Sequence, residues 1–426
     1  MAVRAGIVVT GTEVLTGRVA DRNGPWLAEA LRVIGVDVGS VVVVGDRPDD
    51  LRAALAFLAA GSDLVITSGG LGPTADDLTA AVVAEFQGRP PTLDAALEQR
   101  IAAVVERLTA ARGWDTPPEA AAAGIAKQAQ VPVGATVLEP VGTAPGLVVP
   151  VADGRTGPPV LVLPGPPSEL QGMWPAAIGT DLVRRALGEA TELRQSTLRL
   201  WGTPESELAA TLRRVDDQLA GLEVTTCLRD GELEIVTRYA PEAEPAYARL
   251  AQAIRSGFAD TLFSEGPTID ELVATALDER GWTMAVGEAD TGGLLTARLT
   301  RPPGSSRRVL GGVVAYANSA KEELLDVPAA VLAEHGAVSP HVASLLAQGA
   351  RERFGADVGV GVTGVAGPGG GTPEKPVGML YLAIADPDTG SMASHRLRGD
   401  RDAIRQRTTT LVLQALREHL TSEPPT

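Results

Sequence analysis

The sequence predicts a multi-domain α/β protein, and three observations carry that prediction. Strand and helix signals alternate over residues 1–90, the order changes to α+β over residues 197–259, and a second α/β alternation runs over residues 269–420. The chain of 426 residues exceeds the usual size of one domain. We place the boundaries at residues 1–172, 173–262 and 263–421.

In the first domain, Ile7-Val8-Val9 predict a strand, 26–34 a helix, 41–44 a strand, 51–60 a helix, 64–67 a strand and 78–86 a helix. Such alternation implies parallel strands with helices on both faces, a three-layer arrangement. Residues 89–123 read as helical with weaker periodicity, and 160–163 as a further buried strand. In the middle segment, strand 197–200, helix 205–219, a hairpin turning at Asp230-Gly231 and helix 243–257 form a small module whose order resembles a KH-like fold. It lacks the G-x-x-G loop that clamps a nucleic-acid backbone, so a linker or dimerisation role is expected. The last domain starts with helix 269–279, strand 284–286, helix 294–300 and strand 310–316, and ends with helix 402–420; the Pro-rich tail after Ser422 is expected to fray.

A net charge of −16 and a pI near 4.8 argue against nucleic acid or anionic membrane as partner, and leave local sites for small anions. The single cysteine, Cys227, permits no intrachain disulfide. No leader-like order opens the chain and no apolar run approaches membrane-spanning length, so a cytoplasmic protein is expected. His335, His341, His395 and His419 show no metal-ligand spacing, so no zinc site is expected.

Function concentrates where the strand 64–67 runs into Ser68-Gly69-Gly70-Leu71-Gly72-Pro73-Thr74-Ala75-Asp76-Asp77-Leu78-Thr79, a glycine turn expected to open directly into a helix. Glycines let backbone amides approach a phosphate, with Gly69, Gly70, Gly72 and Thr74 as contacts. Two carboxylates there would repel it unless a divalent metal bridges Asp76 or Asp77 to the phosphate oxygens. The same residues admit a second reading, in which Thr74 and Asp77 form a capping box. Gly11-Thr12-Glu13 and Gly45-Asp46-Arg47 follow the first two strands, and three such loops are expected to converge on one crevice, although each also fits an ordinary turn.

These residues carry a resemblance. G-T-E-x-L-x-G at 11–17, S-G-G-L-G-P-T-x-D-D-x-T at 68–79, G-T-A-P-G at 142–146 and L-P-G-P-P-x-E-L at 163–170 resemble the CinA family. The glycine turn is similar to that of molybdopterin-binding domains, in which an Asp matching Asp77 helps bind the pterin phosphate and magnesium. The resemblance implies metal-dependent hydrolysis of ADP-ribose, or a related dinucleotide pyrophosphate, to AMP and a sugar phosphate. Asp76, Asp77 and Glu13 are then the catalytic candidates, with magnesium or cobalt on Asp76 and Asp77. Asp46 joins the nucleotide contacts, as does Lys127 of a K-Q-A stretch, which equally fits a surface lysine. Glu169 is a further acid or an exposed helix-start residue.

The C-terminal domain contains G-E-A-D-T-G-G-L-L at 287–295, G-G-V-V-A-Y-A-N-S-A-K at 311–321, H-G-A-V-S at 335–339 and V-T-G-V-A-G-P-G-G-G-T-P-E-K-P-V-G at 362–378. Together they resemble the nicotinamide mononucleotide deamidase domain, which implies a Ser nucleophile activated by a Lys with a Tyr nearby. The family's A-E-S-C-T-G-G puts that Ser at Ala289 and the Cys at Asp290. Thr291, Gly292, Gly293, Tyr316, Lys321, Thr363, Arg401 and Arg405 remain, with Gly292-Gly293 as candidate backbone donors. Alanine cannot form an acyl-enzyme. Loss of a Ser nucleophile removes on the order of a millionfold in rate, about 8 kcal/mol.

The expected function is therefore a nucleotide pyrophosphatase with a C-terminal domain that binds pyridine nucleotide without cleaving it, in a homodimer. A noncatalytic nucleotide sensor or scaffold, molybdopterin handling, and a residual deamidase that uses Asp290 are the alternatives.

Overall fold

The computed structural model describes residues 3–112, 117–188 and 193–422. The chain forms two compact units, residues 1–195 and 196–426.

The first unit is built on a six-stranded sheet. Its order is Asp37–Val44, Arg4–Thr10, Leu64–Ser68, Val160–Leu163, Gly146–Val149, Thr136–Leu138. The first four strands are parallel and the last two antiparallel. Successive side chains on a strand point to opposite faces. Ile7 and Val9 therefore pack with Leu27, Leu31, Ile66, Leu161 and Trp174 on one side, while Val8 packs with Leu55, Val65, Val83 and Ile101 on the other. Both faces of the central strands are buried, which is why these strands read as continuous apolar runs instead of alternating ones. The chain leaves Arg4–Thr10 for the neighbour on one side and then returns to Leu64–Ser68 on the other. That reversal opens a crevice at the carboxyl ends of these strands.

The second unit holds two sheets. A four-stranded sheet has the order Leu222–Arg229, Glu232–Tyr239, Arg194–Trp201, Leu262–Glu265, with helices Glu205–Arg214 and Glu244–Gly257 beside it. Its hairpin turns at Asp230 and Gly231, both at positive φ (52° and 93°), the conformation a tight two-residue turn requires. A five-stranded sheet follows, in the order Val309–Val314, Met284–Glu288, Val358–Gly364, Met379–Ala385, Gly390–Arg396, parallel in its first three strands. The helix Arg401–Thr421 packs Val412, Leu413 and Leu416 into its core.

Three local expectations need correction. The glycine turn does not open directly into a helix, because helix Thr79–Gln87 starts only after an irregular segment. Residues 89–123 contain strand Pro91–Leu93 before helix Ala95–Arg112, and helix Pro118–Gln128 follows. The last strand candidate stops at Val314, short of Tyr316. The tail after Ser422 lies outside the described residues. No helix among the described residues is long and apolar enough to cross a membrane.

Leu161 is fully buried between Ile66 and the helices of the first unit. Leu161→Ala is expected to destabilise this unit by about 2–5 kcal/mol, read as a lower urea midpoint by tryptophan fluorescence; an unshifted midpoint would contradict its burial on this face of the sheet.

Candidate functional site

The strand ends of the first unit enclose a cleft of 620 Å³. Glu13, Asp46, Gly69, Gly70, Gly72, Asp76 and Asp77 all line it, so the loops after the first three strands meet in one place. Gly69, at φ 107°, lies so close to the first strand that an added Cβ would come 2.6 Å from the Thr10 carbonyl oxygen. Only glycine lets the turn press against that strand end.

Thr74 organises the acids. Its backbone N–H donates to Asp77 Oδ2 at 2.9 Å, and its hydroxyl lies 2.5 Å from both Asp77 Oδ2 and Asp76 Oδ1. One hydroxyl proton serves two carboxylates, so they are held side by side. The Thr74 hydroxyl, and next the backbone N–H of Asp76, hold the exposed Asp76 carboxyl below its ordinary range. The Thr74–Asp77 pairing expected of a capping box is present, but it closes a loop turn and caps no helix, since Leu78 is the N-cap and makes no side-chain bond.

Asp46 Oδ2 accepts from the backbone N–H of Thr12 at 2.8 Å and its hydroxyl at 2.9 Å, tying the first two loops together. Arg47 pairs with Asp50 at 3.6 Å and is not among the lining residues. Glu169 lines the far side, where burial pushes its carboxyl up. Lys127 does not line the cleft. It faces a smaller cavity of 130 Å³ behind the glycine turn and donates to the Thr74 carbonyl, while Gln128 Nε2 donates to the Leu71 carbonyl at 2.9 Å. The two side chains brace the loop from its back.

Sequence reasoning missed the segment Asp21-Arg22-Asn23, which forms a third wall. Asp21 Oδ1 accepts from the backbone N–H groups of Asn23 (2.9 Å) and Gly24 (3.0 Å), capping helix Asn23–Val33. Asn23 is buried, and its Nδ2 donates to Ser68 Oγ at 2.8 Å and the Gly165 carbonyl at 2.6 Å, leaving Oδ1 without a partner. An Asp two residues before a polar residue at a helix start was the signal available.

Among the described residues no group of three or more His, Cys, Asp or Glu could hold a metal ion. Asp76 and Asp77 alone fit a hard divalent cation only if water and ligand oxygens complete its shell, as magnesium tolerates.

In the C-terminal sheet, the turn Ala289–Gly293 follows strand Met284–Glu288. Glu288 is fully buried and saturated: it accepts from Thr291 Oγ1 (2.7 Å), Gly293 N (3.0 Å), Leu295 N (3.1 Å), Thr296 N (2.8 Å) and Thr296 Oγ1 (2.5 Å). The Gly292 amide donates to the Ala289 carbonyl at 3.2 Å. Both glycine amides expected as donors for a ligand are thus engaged within the turn.

Asp290 is 6% exposed, and neither carboxylate oxygen has a hydrogen-bond partner. Burial first, and the Glu288 charge next among the raising effects, push its carboxyl up to about 6. Lys321 is buried and donates to the Tyr316 carbonyl at 2.9 Å; burial lowers its pKa against the opposing field of Asp290. Arg405 donates to the Asp290 carbonyl (3.2 Å) and the Thr291 carbonyl (2.9 Å). Arg401 reaches the Tyr316 hydroxyl at 3.1 Å and the Gly367 carbonyl at 2.7 Å. Thr363, on the strand beside this turn, donates to the Ala337 carbonyl at 2.9 Å. Ala289 is buried and presents only a methyl group.

Known proteins share both halves of this chain. A family model described as "Probable molybdopterin binding domain" matches residues 6–184, and one described as "CinA C-terminal domain" matches residues 267–420. A CinA-like protein of Mycobacterium sp. (strain JLS) is 55% identical over 99% of both chains, and one of Mycolicibacterium gilvum is 53% identical over 99% of both. The solved competence/damage inducible protein CihA of Agrobacterium tumefaciens is 38% identical, covering 38% of this chain and 100% of its own, at a TM-score of 0.34. A chain that matches such relatives end to end belongs to the CinA-like protein family.

Proposed function

We propose that the N-terminal cleft hydrolyses a dinucleotide pyrophosphate of the ADP-ribose type with a divalent cation, and that the C-terminal domain binds a pyridine nucleotide without cleaving it. One observation carries the first part: Glu13, Asp46, Asp76 and Asp77 surround an amide-rich glycine turn in a single cleft. In the reaction a water oxygen attacks one phosphorus, the bridging P–O bond breaks, and AMP and ribose phosphate leave. A cation on Asp76 and Asp77 would neutralise charge on the phosphate oxygens, and the carboxylates would orient the water and take its proton. The family description raises a pterin as an alternative occupant of the same cleft.

A second reading has its own support. Thr74 occupies Asp77 Oδ2 with two donors, which suits a loop clasp in a noncatalytic nucleotide sensor. Incubation with ADP-ribose and magnesium or cobalt separates the two: AMP is expected, and the Asp76→Ala, Asp77→Ala double variant is expected to lose at least about a hundredfold in rate. Binding by calorimetry with no AMP from either metal would establish the sensor instead.

In the C-terminal domain the buried methyl of Ala289 lies at the position the resemblance gives to the nucleophile. Ala289→Ser is expected to gain ammonia release from nicotinamide mononucleotide over the natural chain; release by the natural chain that disappears in Asp290→Ala would overturn the binding-only reading.

Asp290 also makes stability depend on pH. The folded chain holds this proton up to about 6, whereas the unfolded chain releases it near the ordinary value of 3.8. Between these values the folded state binds more protons, so stability falls as pH rises through the window and the deficit, roughly 3 kcal/mol, is complete above it. Asp290→Asn is expected to melt higher than the natural chain at pH 7.5 and level with it below pH 4. Equal melting at both would contradict the buried, unpartnered carboxylate.

A further inference from the structure

Resting on the reading of the N-terminal cleft as a nucleotide site, we infer that Arg22 is the residue that contacts the diphosphate, set in place by Asp21 and Asn23. The cleft is lined by Glu13, Asp21, Asp46, Asp76, Asp77 and Glu169, and Arg22 is the one lysine or arginine among its described lining residues. Lys127, the other candidate for phosphate charge, donates to the Thr74 carbonyl and lines the smaller cavity instead of this cleft. Among the described residues no hydrogen bond or ion pair engages the exposed Arg22 side chain, although carboxylates line the same cleft.

The backbone on both sides of Arg22 is fixed. Asp21 Oδ1 holds the amides of Asn23 and Gly24, and the Asn23 amide group spends both protons on Ser68 Oγ and the Gly165 carbonyl. The Gly165 carbonyl can only accept, so it dictates which end of the Asn23 amide faces it. Arg22 thus projects from a short segment pinned to the carboxyl ends of two strands, while its guanidinium keeps all its donors for a ligand. A planar guanidinium matches a phosphate with two parallel hydrogen bonds, which the amides of the glycine turn cannot supply with full charge. Asp21 and Asn23 act as positioning residues in this arrangement.

The test is titration calorimetry of the full chain with ADP and with adenosine in magnesium buffer, for the natural protein, Arg22→Ala and Arg22→Lys. Arg22→Ala is expected to weaken ADP binding roughly 10- to 100-fold, to leave adenosine binding unchanged, and to be partly rescued in Arg22→Lys. Unaltered ADP affinity in Arg22→Ala overturns the inference, as does an equal loss for ADP and adenosine, which marks a merely structural role. Arg22-dependent ADP binding without AMP formation from ADP-ribose upholds the inference and sinks the pyrophosphatase reading. Natural-chain binding of neither ADP nor ADP-ribose sinks both.

Discussion

Six carboxylates and a single guanidinium line the N-terminal cleft among the described residues, and the chemistry of that unit depends on what offsets this charge. Two like charges about 4 Å apart repel by roughly 4 kcal/mol at an effective dielectric of 20. A few backbone amides, each contributing about 1.5–3 kcal/mol net to a charged acceptor, do not offset several such repulsions. The cleft can therefore hold a diphosphate only with added positive charge, from a cation on Asp76 and Asp77 and from a side chain such as Arg22. The Thr74 hydroxyl keeps the two carboxylates close and holds Asp76 below its ordinary range, which strengthens the attraction of that carboxylate for a cation.

The C-terminal domain shows the opposite arrangement over three residues. Glu288 is buried with five donors on its oxygens, whereas Asp290 is buried with none. The role of Glu288 is structural, since it gathers the amides of Gly293, Leu295 and Thr296 and so fixes the turn and the start of helix Leu294–Leu299. The turn therefore keeps its form whatever stands at Ala289. Removing a buried carboxylate that satisfies five donors would strand all of them, whereas the methyl of Ala289 carries no polar atom that needs a partner.

The central parallel strands are legible in the sequence because both of their faces are buried, so Ile7-Val8-Val9 and residues 160–163 stand out as unbroken apolar runs. The convergence of the loops at Glu13, Asp46 and Asp77 is legible because strand ends in such a sheet share one edge. Other features depend on which way a side chain turns, and sequence spacing does not encode that. Lys127 lies close to the glycine turn but behind it, and Asp290 turns into the interior with no partner to announce it. The helix starts as late as Thr79 because Asp77 folds back onto the Thr74 amide, a local competition that a pattern of polar residues describes equally well as a cap. Asn23 sits at the beginning of an amphipathic helix, where polar residues are ordinary; its burial is a tertiary fact.

The two acidic sites respond to pH over different ranges, because hydrogen bonds from Thr74 and a backbone N–H hold the exposed Asp76 low while burial, with the charge of Glu288, pushes Asp290 up. Asp76 is open to solvent and held below the ordinary carboxylate range, so it is already ionised when pH passes about 5 and its attraction for a cation no longer changes. Asp290 is sealed from water and changes charge at about 6. Between about pH 5 and 7 the field in the N-terminal cleft from Asp76 is therefore constant, while a negative charge appears beside Lys321 in the C-terminal domain. The Asp290 oxygens are closed to solvent, so this charge would reach a bound ligand only through its field. A pyridine nucleotide held in the C-terminal domain with its phosphate nearest Asp290 would bind less tightly as pH rises through this range, and one held with its cationic ring nearest would bind more tightly. The direction of that dependence would report the orientation of the ligand, without reference to whether any bond is cleaved.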